Sequence, residues 1–500
     1  MRTVVFLCFL VACNSSGTLE VEGTPASGTD GPTTSPPGAG TGGGSATGTG
    51  SGGTSTGTGT GGATGSGGAG TGTGTGTGTG STEPPPLTFA DGTPPANVLM
   101  ISIDTLRRDH LTRWGGPGLT PFLDSLIDES VVLDDHLQCS NWTFASMSCT
   151  TLGRPGWDMG WVTDLLPEGR RPMPPARTLP LWMGQLGFYS VLNSLNSWFS
   201  DEWGTAQGYD RRLSSGWNAG DAIDQAADAL EDAYRDGDVG DHWLMHVHVM
   251  EPHASYSPPG GYLDRLDDLP PIRWDLEDFG EHYDAGDAYE DMDRDERVLL
   301  EAHMRVRYEG ELQYLDDQLR EAFDDLGRRG LLEDTLVVVY NDHGESFWEH
   351  DHQTHAHTLH GQENDGILFF WSDDIVPRAW DGPTHATDLA ATLVALYGGT
   401  PDPVVVGVPL GTAPDDRARY QYTQARQGAQ NSVVKDEWKL LYDWDTAVVE
   451  LYDRNADPEE AVDLYAADHP RVTELWPLLR AQVELMAPLT RYEPDWPAGL

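Results

Sequence analysis

Apolar runs that end in acidic or histidine residues recur along the chain from residue 96 onward. The segments ANVLMISID, DHWLMHVHVMEPH and DTLVVVYNDHGE are apolar almost to their last residues. Such runs are typical of parallel strands that are buried on both faces of a sheet. Because the carboxyl ends of parallel strands share one edge of the sheet, we expect Asp104, Asp342 and His343 to lie close together there.

Amphipathic helical patterns alternate with these strands. Thr120 is predicted as the N-cap and Pro121 as the first residue of a helix over LTPFLDSLIDES. A second helix is expected to end at Gly187, before a strand that begins at Tyr189. In YEGELQYLDDQLREAFDDLGRRGLL, apolar residues three or four apart predict an amphipathic helix. This alternation predicts an α/β fold with a doubly wound, mostly parallel sheet flanked by helices.

The N-terminal residues 1–94 follow a different pattern. Residues 1–12 combine Arg2 with an apolar run and predict an export signal, and LVAC, which ends at Cys13, resembles the lipobox of bacterial lipoproteins. Residues 13–94 are rich in glycine, threonine and serine and predict a disordered tether, because little apolar surface can be buried.

We therefore expect an exported protein that is lipid-anchored at the cell envelope, on its periplasmic or cell-surface side. The lipid would be the only membrane anchor, since no later apolar run has the length of a membrane helix. A plain cleaved signal without lipid is the alternative.

Charge and cysteine content limit the possible partners. The formal net charge of -49 favours solubility and argues against nucleic acid or an anionic lipid surface as a partner. An anionic substrate would need a local positive charge, which points to a metal. Cys8 leaves with the signal and Cys13 takes the lipid, so Cys139 and Cys149 are expected to form a disulfide in an exported protein.

The polar strand ends offer suitable ligands for that metal. Two carboxylates and one imidazole suit Zn²⁺ or Mn²⁺ better than Ca²⁺. Taken singly, each residue has an ordinary explanation, since an aspartate can cap a helix and a histidine can be exposed or hydrogen-bonded. Five more histidines follow in the sequence, namely His350, His352, His355, His357 and His360. We expect one or two of these five to face the metal.

Several motifs, in this order, resemble the bacterial sulfatase family within the alkaline phosphatase superfamily. They are NVLMISIDTLRRDHL, TPFLDSL, WTFASMSCTTLGR, HVMEPHASYSPP, YEGELQYLDDQL, LEDTLVVVYNDHGESFWEHD and HAHTLHG. The resemblance extends from Asn97 to about Met486. It implies a sulfatase-like catalytic domain over residues 95–400 and a smaller α+β subdomain of the same fold over residues 401–500.

The resemblance also implies a nucleophile at Thr143, at the start of a short helix. Sulfatases place there a cysteine or serine that is converted to formylglycine within a Cys-x-Pro-x-Arg motif, but the proline and arginine are absent here. The segment is also similar to phosphoethanolamine transferases, which use an unmodified threonine. The alternatives are that Thr143 is only an N-cap, or that Ser146 or Cys149 is the nucleophile.

By the same resemblance, the metal ligands are Asp104, Thr143, Asp342 and His343. Thr105 stands where the family has a second acid and His343 where it has asparagine, and both changes favour a transition metal over calcium. His253 is expected to contact the anionic group of the substrate. His355, alone or with His357, is expected to bind substrate, protonate the leaving oxygen or hold a second metal.

These features predict a metal-dependent hydrolase of sulfate or phosphate esters with a threonine nucleophile. The substrate would be an anionic ester, namely a sulfated or phosphorylated glycan, lipid or small molecule. One alternative is a phosphoethanolamine or phosphoglycerol type of transferase that acts on a glycan or lipid. Another is a non-catalytic surface-binding protein that has kept the fold.

Overall fold

The three apolar segments form adjacent strands at the centre of a large sheet. The computed structural model describes residues 86–160, 172–423, 429–490 and 494–497, all within the compact unit Thr79–Leu500. The strands are β1 Asn97–Ile103, β2 Val131–Leu133, β3 His136–Leu137, β4 Phe188–Ser194, β5 Arg211–Leu213, β6 His242–Val249, β7 Thr335–Asn341, β8 Ser346–Phe347, β9 Gln353–Thr354, β10 Leu368–Trp371, β11 Arg378–Trp380, β12 Thr384–His385, β13 Arg419–Thr423, β14 Gln430–Lys435, β15 Trp438–Asp443 and β16 Val449–Asp453. The α-helices are α1 Pro121–Asp128, α2 Thr143–Leu152, α3 Leu179–Gln185, α4 Ala219–Asp236, α5 Phe279–Asp287, α6 Arg294–Arg329, α7 Gly361–Asn364, α8 Asp388–Leu396 and α9 Pro470–Met486.

The large sheet is mostly parallel, as the sequence predicts. Its eight strands have the order β11-β2-β10-β7-β1-β6-β4-β5. Strand β1 pairs in parallel with both β6 and β7, and β4 pairs in parallel with β6 and β5. Only β10 runs antiparallel to its neighbours, β7 and β2. The carboxyl ends of β1, β4, β6 and β7 therefore share one edge.

Helices cover both faces of this sheet, which confirms the doubly wound architecture. Alternate residues of β1 enter two separate cores: Leu99 and Ile101 lie in one, and Val98 and Met100 in the other. The first core contains apolar residues of α1, α4 and α6, and the second contains those of α3 and α8. Burial on both faces is the physical reason for the continuous apolar runs in the sequence.

Helix α1 begins at Pro121 as predicted, but its N-terminus is capped by a residue of another helix. The Thr120 side chain makes no capping hydrogen bond. Instead, the Asp316 carboxylate of α6 accepts hydrogen bonds from the backbone N–H groups of Phe122, at 2.9 Å, and Leu123, at 2.8 Å. The cap thus depends on tertiary packing between α1 and α6.

Part of the predicted tether belongs to the folded domain. Leu87 and Phe89 are buried in the second core, and Phe89 forms a β-bridge with Ile375. The prediction that the tether extends to residue 94 is therefore wrong for residues 86–94, because two large apolar side chains anchor them. The predicted signal, Cys13 and the rest of the tether lie outside the described residues. Within the described ranges, no helix has the length and apolar character needed to cross a membrane.

The predicted disulfide joins Cys139 to Cys149, with Cα atoms 6.4 Å apart. It connects the segment before α2 to the second half of that helix. Phe144 of α2 and both cysteines share a third core with apolar residues of β14, β15 and α9. Strands β13 to β16 form a separate antiparallel sheet, and this is the smaller C-terminal α+β part. Helix α2 is thereby held against the C-terminal part.

The buried Glu311 on α6 should make stability depend on pH. Its carboxylate accepts a hydrogen bond from the Ser257 N–H at 2.6 Å, and burial together with the Glu251 charge raises its pKa to about 8. Because the folded pKa lies above the unfolded one, the folded state binds the extra proton, and stability falls as pH rises between about 5 and 8. Glu311→Gln keeps the acceptor and should flatten this slope.

Urea unfolding at several pH values measures the effect, which should reach a few kcal/mol at the alkaline end. Glu321→Gln, which removes an exposed carboxylate from the same helix, is the matched control. Equal pH slopes in the wild type and Glu311→Gln would contradict the expectation.

Candidate active site

Four predicted metal ligands meet at the carboxyl edge of the central strands. Asp104 directly follows β1, Asp342 and His343 follow the neighbouring β7, and Thr143 is the first residue of α2. All four are buried. Ligand atoms of Asp104, Asp342 and His343 lie within 4.8 Å of one another. The expected convergence at the sheet edge is therefore observed.

Asp342 and His343 each have one side-chain polar atom that is hydrogen-bonded to the protein backbone. Asp342 Oδ1 accepts hydrogen bonds from the N–H groups of Thr105, at 3.3 Å, and His343, at 2.8 Å. His343 Nδ1 lies 2.9 Å from the carbonyl oxygen of Gly344, so it donates, and Nε2 carries the lone pair. Among the described residues, Asp342 Oδ2 has no hydrogen-bond partner.

The two carboxylate oxygens of Asp104 also differ in their contacts, since within the described ranges one is hydrogen-bonded to the protein and the other is not. Its Oδ2 accepts from Asn196 Nδ2 at 2.6 Å and lies 3.3 Å from His248 Nε2. Its Oδ1 is buried and has no hydrogen-bond partner in the described part of the chain. His343 Nε2 lies 3.6 Å from Asp104 Oδ1 and 3.5 Å from Asp342 Oδ2. One nitrogen and two oxygens with available lone pairs thus face a common point, which is the donor set of a divalent cation.

The electrostatics of the pair also fit a cation. Burial and the Asp104 charge raise the pKa of Asp342 well above its usual range. Burial opposes ionisation of Asp104, but the electrostatic interaction with His253 and the hydrogen bond from His248 outweigh it and hold the Asp104 pKa below its usual range. Two adjacent buried carboxylates therefore cannot both ionise easily without added positive charge.

The Thr143 hydroxyl lies beside these ligand atoms. Its Oγ1 accepts from Asn196 Nδ2 at 3.0 Å and is 3.4 Å from both Asp104 Oδ2 and His343 Nε2. The N-cap of α2 is Trp142, so Thr143 is not merely a capping residue.

The other two nucleophile candidates are otherwise engaged. Ser146 Oγ donates to the carbonyl oxygen of Ser140 at 2.7 Å. Cys149 is in the disulfide and has no thiol. Of the three candidates, Thr143 is therefore the one whose hydroxyl lies beside the ligand atoms.

His253 and His355 lie next to this centre. The ring centroid of His355 is 4.5 Å from that of His343 and 5.0 Å from that of His253. His253 Nδ1 donates to the carbonyl oxygen of Ala254 at 2.6 Å, and His355 Nδ1 lies 3.0 Å from Glu345 Oε1. These contacts orient the second nitrogen of each ring.

The remaining histidines of the same loop form two stacked pairs. His350 stacks on His360, with centroids 3.5 Å apart, and His352 stacks on His357, at 4.9 Å. His360 also lies 3.2 Å from a carboxylate oxygen of Glu450. Of the five histidines, His355 lies beside the candidate ligand His343, whereas His357 stacks on His352.

Two residues at the centre were not predicted from the sequence. Asn196 lies two residues after β4 and contacts both Asp104 and Thr143. His248 lies within β6 and contacts Asp104. A histidine inside an otherwise apolar buried strand is a usable signal, because a buried polar side chain needs a partner. Asn196 has no comparable signal, since its role depends on a loop conformation.

Asp342→Asn should change stability and metal binding in opposite directions. The amide removes the repulsion with Asp104, so the metal-free protein should melt a few degrees higher. Because the raised pKa of Asp342 costs stability as pH increases, the gain should be larger at pH 8 than at pH 5. The same variant should lose most of its metal, since a charged ligand is gone.

Thermal unfolding with chelator and elemental analysis of the purified protein test the two effects. Asp365→Asn is a suitable control, because Asp365 is a half-buried carboxylate that already pairs with Arg454 at 2.6 Å. If Asp342→Asn retained the wild-type metal content, Asp342 would not be a ligand.

Comparison with known proteins gives a consistent result. The family model described as Sulfatase matches residues 96–399. The choline-sulfatase of Rhizobium meliloti (strain 1021) is 25% identical over 246 residues, which cover 46% of this chain and 47% of that protein. The chain thus spans about half the length of this curated relative.

Solved structures share the fold at lower identity. A protein in complex with its substrate, D-glucosamine-2-N,6-O-disulfate, has a TM-score of 0.60 and 15% identity, covering 78% of this chain and 98% of that one. The phosphonate monoester hydrolase from Silicibacter pomeroyi has a TM-score of 0.59 and 17% identity, covering 78% and 94%. The family indicated by the motifs is confirmed: the family model matches more than half of the 500 residues, and this chain belongs to the sulfatase family.

Proposed function

We propose that this chain is a metal-dependent hydrolase of sulfate or phosphate esters in which Thr143 is the nucleophile. The observation that carries the proposal is the meeting of Asp104 Oδ1, Asp342 Oδ2 and His343 Nε2 beside the Thr143 hydroxyl. The Thr143 hydroxyl contacts Asn196 and the candidate ligands, whereas other hydroxyls of α2 donate to backbone carbonyls of the same helix, namely the hydroxyls of Ser148, Thr150 and Thr151.

Asp104, Asp342, His343 and Thr143 would hold the cation. The mixture of carboxylate oxygen and imidazole nitrogen supports Zn²⁺ or Mn²⁺ rather than Ca²⁺. When bound, the cation supplies the positive charge that lowers the pKa of the Thr143 hydroxyl and offsets the charge of the anionic ester.

The protein groups then act in sequence on the ester. The Thr143 hydroxyl releases its proton to solvent, and Oγ1 attacks the sulfur or phosphorus in line with the alcohol oxygen, so that a bond to Oγ1 forms as the bond to the alcohol breaks. His355, whose Nδ1 is held by Glu345, acts in its imidazolium form and gives the Nε2 proton to the leaving alcohol oxygen. Water then attacks the covalent intermediate and returns one proton to His355, while the bond to Oγ1 breaks and sulfate or phosphate is released.

Two further elements would bind the anionic group during these steps. Thr143 begins the ten-residue helix α2, so the N–H groups of the first turn and the helix dipole favour negative charge there. His253 is oriented by the carbonyl of Ala254 and lies beside His355, where it can contact an ester oxygen. Asn196 orients the nucleophile through its amide.

The relatives support an anionic ester as the substrate. They include a choline-sulfatase, a protein bound to a disulfated glucosamine and a phosphonate monoester hydrolase. We propose a sulfated or phosphorylated glycan, lipid or small molecule. Turnover of a panel of sulfate and phosphate monoesters and diesters identifies the class, and release of free sulfate or phosphate separates hydrolysis from transfer.

Thr143→Ala should lower turnover by several orders of magnitude, because the nucleophile is lost. Most of the metal should remain, since three ligands remain. Thr143→Ser should retain part of the activity, because it keeps the hydroxyl but loses the methyl group that restricts the rotamer. Wild-type activity should appear in a host without a formylglycine-generating enzyme. Steady-state kinetics and elemental analysis check these outcomes.

Thr150→Ala is the matched control on the same helix. Thr150 is also buried, and its hydroxyl donates to the carbonyl oxygen of Ser146 at 3.0 Å. It should cost stability but little turnover. A Thr143→Ala protein that turned over at nearly the wild-type rate would disprove the threonine mechanism.

We also propose that the protein is exported and lipid-anchored through Cys13, which the motif LVAC and the following glycine-rich segment support. Cys13→Ser should move the protein from the membrane fraction to the soluble fraction, because the acylated residue is lost. Fractionation with radiolabelled fatty acid tests this. Equal membrane association and no lipid label in the wild type would refute it.

A further inference from the structure

A line of polar side chains extends from Asp104 into the interior of the sheet. Ser102 of β1 faces His248 of the neighbouring β6 in the strand register, and His246 lies two residues before His248. All three are fully buried. Buried polar groups in a sheet core are costly unless they are hydrogen-bonded, and the proposed reaction steps do not use these groups.

These side chains form one continuous chain of hydrogen bonds that ends on Asp104. His248 Nε2 lies 3.3 Å from Asp104 Oδ2, and His248 Nδ1 lies 2.8 Å from Ser102 Oγ. Ser102 Oγ lies 3.0 Å from His246 Nε2. The far end is held by two tyrosine hydroxyls, with Tyr209 at 2.6 Å from His246 Nδ1 and Tyr340 at 3.0 Å from His246 Nε2.

The contacts fit one consistent direction of donation that ends on Asp104. His248 Nε2 donates to the carboxylate oxygen Oδ2, and His248 Nδ1 accepts from the Ser102 hydroxyl. Ser102 Oγ accepts in turn from His246 Nε2. His246 Nδ1 accepts from the Tyr209 hydroxyl. The same Nε2–H also faces the Tyr340 hydroxyl oxygen, which is a second acceptor at 3.0 Å. Burial lowers the pKa of His246 to about 3 and keeps that ring neutral.

We propose that Ser102, His246 and His248, closed by Tyr209 and Tyr340, form a positioning relay for the metal ligand Asp104. The relay and Asn196 together hydrogen-bond Oδ2 of Asp104. The other oxygen, Oδ1, is therefore left to face the cation site. His248 is a positioning residue and not a ligand, because it does not belong to the group of ligand atoms within 4.8 Å of one another. The inference rests on the proposed metal site.

The relay should therefore be visible in the metal affinity. Losing a hydrogen-bond partner behind a ligand typically weakens metal binding by about 10-fold to 100-fold. His248→Leu removes the donor to Asp104, and Ser102→Ala breaks the relay while both rings remain. His248→Gln places an amide N–H near the position of Nε2 and should restore most of the affinity.

The experiment measures Zn²⁺ and Mn²⁺ dissociation constants for the full chain by competition with a chelator, and the melting temperature without metal. His248→Leu and Ser102→Ala should bind about 10-fold to 100-fold more weakly, and His248→Gln within about 3-fold of the wild type. His303→Leu is the control: His303 is a buried histidine of α6 that bonds the carbonyl oxygen of Pro270. It should lower stability and leave metal affinity unchanged.

The possible results separate the two proposals. If the wild type binds neither metal, the proposed function fails and the relay loses its basis. If the wild type binds metal and Ser102→Ala and His248→Leu bind it equally tightly, the relay alone is wrong. Should His248→Leu not fold, Ser102→Ala, which removes a single hydroxyl, decides the question.

Discussion

The repulsion between two buried carboxylates is the constraint on which this site depends. Asp104 and Asp342 both lie in the interior, and the charge of one raises the pKa of the other. Water cannot screen this repulsion at the depth of the sheet edge, whereas a divalent cation can. The backbone hydrogen bonds to Asp342 and the contacts of Asn196 and His248 with Asp104 turn one oxygen of each carboxylate towards a common point.

The fold supplies the precision that such an arrangement needs. Asp104 and Asp342 extend from adjacent parallel strands, so their separation is set by the sheet and not by a loop. Thr143 is carried on a helix that the Cys139–Cys149 disulfide and the C-terminal core hold in place. His355 directly follows β9, and its contact with Glu345 orients the ring. Rigid support on several sides therefore fixes the positions of the proposed nucleophile and the proposed ligands relative to one another.

Much of this arrangement could be predicted from the sequence. The continuous apolar runs predict buried parallel strands, and the residue after each run lies at the predicted edge, so Asp104, Asp342 and His343 were found. The family motifs placed Thr143, His253 and His355. What could not be predicted depends on tertiary contacts between distant segments. Asp316 caps α1 although it lies 193 residues from Leu123 in the sequence. Asn196 contacts Asp104 from a loop. Leu87 and Phe89 are buried in the second core and anchor a segment whose composition resembles that of the tether.

Locating the metal is the most direct test of the proposed site. Crystals grown from protein loaded with Zn²⁺ or Mn²⁺ should be measured by anomalous diffraction at the absorption edge of that metal. One strong anomalous peak is expected within bonding distance of Asp104 Oδ1, Asp342 Oδ2 and His343 Nε2, with Thr143 Oγ1 adjacent. A strong peak elsewhere, with none between these atoms, would contradict it.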